Sequence, residues 1–188
     1  MSISYCITFL NRVNHNIARK NRLNYPQLVI LSFDHIGLKI NLEGRYENYL
    51  LEYLEKFIKE QIPNYKELCV LDIGANIGNH SIFFSNLFER VYSFEPNPLT
   101  FEILKINSRY ASKRKNIKTY KIGISDKNGK VYFLNNPTNN GNSSIISEKE
   151  YTRNLENAFK IDVISLDDVK FLDGIKIGLI KIDVEGHE

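Results

Sequence analysis

Cysteine is scarce in this chain: Cys6 and Cys69 are its 2 cysteines in 188 residues. They lie far apart, which argues against a disulfide framework or a zinc site. Cys69 falls inside an apolar run, where a small thiol is expected as a buried structural residue. Long hydrophobic runs are missing as well. The stretch Ile3 to Leu10 is too short to cross a bilayer and carries no positive residue ahead of it, as a secretory leader would. The expectation is a cytoplasmic protein with no transmembrane segment. Acidic residues are absent ahead of Asp34, although the net charge is only +3. Arg12, Arg19, Lys20 and Arg22 form a basic cluster there, and Lys113, Arg114, Lys115, Lys118 and Lys121 form a second. Such clusters are usually solvated faces and otherwise meet anionic glycans, nucleic acid or membrane, so they identify no substrate. Repeats and low-complexity segments are lacking too.

With 43% hydrophobic residues, a chain of 188 residues can bury a sizeable core, and one main domain is the natural count. Residues 1–45 are read as an N-terminal extension of unclear role, with an apolar run at 28–31 and an alternation at Ile36, Leu38, Ile40 and Leu42 that suits a strand or hairpin. Between Tyr46 and Ile62, apolar residues recur at Tyr46, Tyr49, Leu50, Tyr53, Leu54, Phe57 and Ile58, the spacing of an amphipathic helix stopped by Pro63. Its aromatic stripe is expected in the core.

From Leu68 the chain alternates strand and helix, the pattern of a parallel sheet with helices on both faces. Strands are expected at 68–72, 91–95 and 117–122, and helices from 79 to about 87 and from 98 to 110. Asn97 is placed to cap the second helix with Pro98 at its first position, and Leu99, Ile103, Ile106 and Tyr110 are expected as its apolar face. Asn128-Gly129 between alternating segments predicts a hairpin or tight turn. Residues 135–147 read as a mobile loop rich in Asn, Ser, Gly, Pro and Thr. A strand follows at 160–165, a short helix at 166–172, and a buried strand at 177–183.

The densest signal is Val70-Leu71-Asp72-Ile73-Gly74-Ala75-Asn76-Ile77-Gly78-Asn79. An apolar strand ends at Asp72, and Gly74 and Gly78 let the turn bend tightly while its backbone approaches a ligand. The turn contains no G-x-G, which counts against a dinucleotide such as NAD and for a nucleoside without pyrophosphate. Glu95 closes the next apolar run, Val91-Tyr92-Ser93-Phe94, where an acid can accept ribose hydroxyls. Asp126, with Ser125, lies just beyond the third strand, within reach of an adenine amino group or simply capping a turn.

Five segments in order carry a family resemblance: Val-Leu-Asp-Ile-Gly-Ala-Asn-Ile-Gly-Asn-His-Ser (70–81), Phe-Glu-Pro-Asn-Pro (94–98), Ile-Ser-Asp (124–126), Ile-Ser-Leu-Asp-Asp (164–168) and Ile-Lys-Ile-Asp-Val-Glu-Gly-His-Glu (180–188). From about Gly44 onward the chain resembles the FkbM family of S-adenosylmethionine-dependent methyltransferases. The resemblance implies a Rossmann-like class I methyltransferase domain over 46–188. It also implies S-adenosyl-L-methionine as cofactor, with Asp72, Gly74, Asn76, Gly78, Glu95, Ser125 and Asp126 around it and the methionine carboxylate at the helix N-terminus. The activity implied is O-methylation of a hydroxyl on a sugar, glycan or secondary metabolite. A family domain continues beyond Asp-Val-Glu-Gly-His-Glu through a helix and further strands. The C-terminal third is therefore expected to be missing, with 177–183 left as a sheet edge in an unstable or partner-dependent fragment.

Methyl transfer from a sulfonium is an in-line displacement, so the site must align the acceptor oxygen, and a sugar hydroxyl needs a base. Asp183 is the first choice, followed by Glu185 and His187; His80, early in the helix after the loop, is a further residue that can face the cleft. Asp72 is expected to hold the loop through backbone N–H groups, or to take the cofactor amino group. Asp183 and Glu185 offer oxygen ligands for magnesium, but residues two apart on an extended segment point to opposite sides, and no metal is assigned. Two other readings stand beside this one. A nucleic-acid or protein methyltransferase has only the basic clusters in favour and lacks an N-P-P-Y motif, which Asn135-Asn136-Pro137-Thr138 matches only in part. A catalytically inactive cofactor-binding subunit is the other.

Overall fold

The computed structural model describes residues 3–32, 34–134, 144–153 and 155–184. Its centre is a four-stranded sheet in the order β3-β2-β1-β8, built from β1 (Cys69–Ile73), β2 (Arg90–Phe94), β3 (Ile117–Tyr120) and β8 (Ile177–Ile182). All three pairings are parallel, with Asp72 opposite Ser93 on one side and Lys181 on the other. Every residue of β1 is buried. Its side chains alternate between two cores, as a pleated strand requires. Val70 points into a cluster with Phe84, Phe88 and Val91, whereas Cys69, Leu71 and Ile73 join Tyr92 and Phe94 on the opposite face.

The helices are α1 (Ile3–Asn24), α2 (His35–Glu43), α3 (Asn48–Gln61), α4 (Asn79–Ser85), α5 (Pro98–Tyr110) and α6 (Glu148–Arg153). Asn97 caps α5 as expected, its Oδ1 accepting from the Leu99 amide at 3.0 Å with Pro98 in the first turn. The buried face of α5 differs from the expected stripe. Phe101, Ile103 and Leu104 point inward together with Thr100 and Asn107, while Leu99, Ile106 and Tyr110 are exposed. In α3 the expected aromatic stripe is likewise outward at Tyr49 and Tyr53, and Leu51 and Ile58 fill the core. Several apolar rows were available on each helix, and the sheet beneath selected one.

The alternation at 36–42 forms a helix, not a strand. Asp34 caps α2 by accepting from the Ile36 amide, and Gly44 ends it in the left-handed region. Ile36 and Ile40, four apart, face inward, whereas Leu38 and Leu42 face out. A period of two placed over four residues also satisfies one helical face, and the cap decides between them.

A second four-stranded sheet has the order β4-β7-β5-β6, from β4 (Gly123–Ser125), β5 (Gly129–Leu134), β6 (Ser144–Ile146) and β7 (Ala158–Ser165). The Asn128-Gly129 turn is not a hairpin, because β4 and β5 flank β7 instead of pairing with each other. Residues 144–146, expected within a loop, are a strand paired with β5. The Asn135–Thr138 segment lies outside the described residues. The segment 166–172 forms two short 3-10 turns in place of a helix.

Candidate active site

Beyond the carboxyl ends of β1 and β2 lies a cavity of about 320 Å³, within the range of small-molecule sites. The chain from β1 turns sharply there: Gly74 and Gly78 have φ of +73° and +92°. A Cβ on Gly74 would run into the carbonyl oxygen of Asp183, so glycine is needed both for its dihedral and for contact with the end of β8. Asn76 also sits at positive φ. The Gly74 and Ala75 amides both donate to the Phe94 carbonyl at 3.0 Å, and the Gly78 amide donates to Ala75.

Glu95 fastens this loop. Its Oε2 accepts from the Asn76 amide and its Oε1 from the Asn97 amide, each at 2.8 Å, so one carboxylate joins the turns after β1 and β2. Burial raises the Glu95 pKa above the ordinary carboxylate value; the Asn97 amide, the Thr100 hydroxyl, the Asn76 amide and Lys181 oppose that rise. The amides of residues 74, 75, 76 and 78 thus serve protein acceptors, and α4 has only 7 residues. Next to this loop the cavity has a charged end.

That end is made by Lys181, Asp183, His80 and Glu47, all of which line the cavity. Lys181 Nζ donates to the Gly74 carbonyl at 3.0 Å and pairs with Asp72 Oδ1 at 3.3 Å and Asp183 Oδ2 at 3.4 Å. His80 Nε2 lies 3.1 Å from Glu47 Oε2, and this hydrogen bond holds the Glu47 pKa below the usual carboxylate range. Neither Lys181 nor Glu47 was singled out in the sequence. The signal for Lys181 was a lysine alternating with Ile180 and Ile182 in a strand otherwise apolar; Glu47 gave none, because its segment is distant along the chain.

Asp72 does not hold the loop through backbone N–H groups. It is fully buried beneath the cavity, where its Oδ2 accepts from Ser81 Oγ at 2.5 Å and Ser81 Oγ in turn meets Ser93 Oγ at 2.8 Å. Its Oδ1 has Lys181 as charge neighbour without a directed hydrogen bond. Asp72 therefore reaches the cavity only through Lys181. Gly74, Asn76, Glu95 and Asp183 line the cavity; Gly78 lies behind it against Leu104. Ser125 and Asp126 bond to each other, and Gly123 and Ile124 take the wall position expected for them. Glu185 and His187 lie outside the described residues.

The N-terminal segment forms the roof, with His35, Ile36, Tyr46 and Glu47 lining the cavity. Two buried asparagines fix it. The Asn79 amide accepts from Tyr46 N at 3.2 Å and donates to Tyr46 O at 3.1 Å, while Asn107 accepts from Val29 N and donates to the Val29 and Ile77 carbonyls. Each side chain imitates a strand partner, so residues 28–46 belong physically to the site.

A family model described as Methyltransferase FkbM domain matches residues 72–188. The chain belongs to the FkbM methyltransferase family. This FkbM chain is 34% identical over 119 residues to the hexuronic acid methyltransferase AglP of Haloferax volcanii, a match covering 62% of this chain and 45% of that protein. It is 29% identical over 150 residues to methyltransferase sdnD of Sordaria araneosa, covering 63% and 57%. The chain thus spans about half the length of the curated relatives it matches. The crystal structure of methyltransferase FkbM from Methylobacillus flagellatus is similar at 19% identity and a TM-score of 0.43, covering 79% of this chain and 35% of that one. In this FkbM chain the matched region holds the glycine loop, Glu95 and Asp183, while Tyr46 and Glu47 precede it.

Proposed function

We propose that this cavity binds S-adenosylmethionine and that the protein methylates a hydroxyl of a sugar, glycan or secondary metabolite. The observation that carries the proposal is Glu95, a buried carboxylate at the end of β2 that lines the cavity and is locked to the glycine loop of β1. The chemistry of the cavity suits such a ligand. Glu95 offers acceptors for ribose hydroxyls, Phe94, Ile124 and Val163 offer apolar surface for a flat base, and the charged end offers both signs for an amino acid. Glu47 would take the ammonium group, and Lys181 with His80 the carboxylate. Gly74 and Asn76 shape the floor.

Bound there, the cofactor supplies an electrophilic methyl group on a positively charged sulfur. The task of the chain is to present an oxygen in line and to remove its proton. Asp183 is the proposed base: it follows β8, lines the cavity and keeps its side chain half exposed, so an acceptor hydroxyl can reach it. Lys181 fixes the Asp183 carboxylate from one side and neutralises the charge it shares with Asp72. Glu185 and His187 are the alternative bases of this proposal. The hexuronic acid named for the Haloferax relative makes uronic-acid sugars the first acceptors to test.

Calorimetric titration with S-adenosylhomocysteine tests the reading. Saturable binding is expected, with a loss of roughly tenfold or more in Glu95→Gln, since a hydrogen bond to a charged group is worth about 1.5–3 kcal/mol. Gly74→Val, which places a side chain against Asp183, is expected to abolish it. A folded wild-type chain with no affinity for S-adenosylhomocysteine would overturn the proposal.

A further inference from the structure

The helix α1 is an anomaly in this fold. Its 22 residues include no buried one, yet it carries Ile3, Cys6, Ile7, Leu10, Val13 and Ile17 at helical spacing. Ile3 is 81% exposed and Leu10 63%. Apolar positions three and four apart fall on one face of a helix, and a soluble protein normally buries such a stripe. Arg12 and Arg19, seven apart, lie together on another face with His15, and Lys20 and Arg22 follow in the last turns. Aspartate and glutamate are absent from the whole sequence up to Asp34.

Near its C-terminal end α1 is tied to the body of the protein. The Asn21 side-chain amide donates to the carbonyls of Asn41 and Leu42 at 3.3 and 3.0 Å, at the last turn of α2. Among the described residues, no helix is long and apolar enough to cross a membrane, and α1 is interrupted by its cations. An apolar stripe beside a basic, acid-free face is the arrangement of a helix lying in the plane of a bilayer surface. We infer that α1 is an interfacial anchor, with its stripe in the acyl boundary and Arg12, Arg19, Lys20 and Arg22 on anionic headgroups. Charge complementarity selects this occupant over a second copy of the chain. Pairing two stripes would leave the cations of both helices uncompensated, with no acid on either one, whereas an anionic leaflet attracts these cations. The inference does not depend on the methyltransferase reading.

The test uses the full chain and vesicles of phosphatidylcholine with or without phosphatidylglycerol. Cys6 is exposed within the stripe and Cys69 is buried, so an environment-sensitive fluorophore can be attached at Cys6 selectively. The expected result is co-sedimentation and a blue-shifted label with the anionic vesicles, little of either with phosphatidylcholine alone, and release as salt is raised. Ile7→Gln with Leu10→Gln, and separately Arg12→Glu with Arg19→Glu, are each expected to lower partitioning about tenfold or more. Thermal unfolding should be unchanged in both, since α1 buries no residue. Failure of the wild-type chain to partition onto phosphatidylglycerol vesicles would overturn the inference. So would a lipid-independent spectral shift accompanied by a doubled sedimentation mass, which would assign the stripe to a second copy.

Discussion

The strands β1 and β8 run side by side in parallel, and both read in the sequence as apolar segments that carry one charged residue each, Asp72 and Lys181. Their fates differ. β1 is buried at every residue, whereas β8 leaves Ile180 and Ile182 about half exposed. β1 has a strand on each side; β8 is the outer member of its sheet among the described residues. An apolar run therefore states what a strand can bury, and its neighbours decide what it does bury. The contrast extends to charge. Asp72 in β1 is fully buried, and the cation that compensates it comes from its register partner in β8, Lys181.

The largest effect expected from this difference is in core truncation. Leu71→Ala in β1 should cost roughly 3 kcal/mol, within the usual range of about 2–5 for a buried leucine, while Ile182→Ala in β8 should cost under about 1. Denaturant titration of the two variants measures both, and equal losses would break the comparison. Next comes the pair that joins the strands. Lys181→Met leaves the Asp72 carboxylate buried without its cation and should cost somewhat less, roughly 2–3 kcal/mol, and adding Asp72→Asn should restore most of it. A double variant as unstable as Lys181→Met would show that the lysine acts through packing alone.

The smallest effect is a pH dependence. Burial raises the folded pKa of Glu95 above its ordinary value of 4.5, so the native state holds the proton more tightly than the unfolded chain. The associated stability is fully present below pH 4.5 and is lost as pH rises through the raised folded value. Relative to Glu95→Gln, which does not titrate, the wild type should lose thermal stability across that window. Its affinity for S-adenosylhomocysteine should rise over the same window, because the ionised carboxylate is the better acceptor. A difference in melting temperature that stays constant with pH would contradict this assignment.

Much of the cavity floor was legible in the chain. The glycine turn, the acid ending β2 and the Asn97-Pro98 start of α5 are local devices, each fixed by sterics or by a hydrogen bond spanning a few residues. The roof was not legible, because the Asn79 and Asn107 clamps join positions 33 and 78 residues apart. The partners of Asp72 were not legible for the same reason: Ser81 and Lys181 come from other elements, and nothing adjacent to it announces them. In the second sheet the pairing was not legible, since the Asn-Gly signal allowed a hairpin or a tight turn and β7 lies between β4 and β5.

By itself the sequence determined that β1, a glycine turn, β2 and an acid follow one another, since dihedral limits and apolar runs act over a few residues. The tertiary structure alone decided which helical faces are buried, that β8 stands outermost, and that Lys181, Glu47 and His80 meet at one end of the cavity. Those outcomes depend on groups brought together from distant parts of the chain, where neighbouring atoms, and not adjacent residues, set burial and charge.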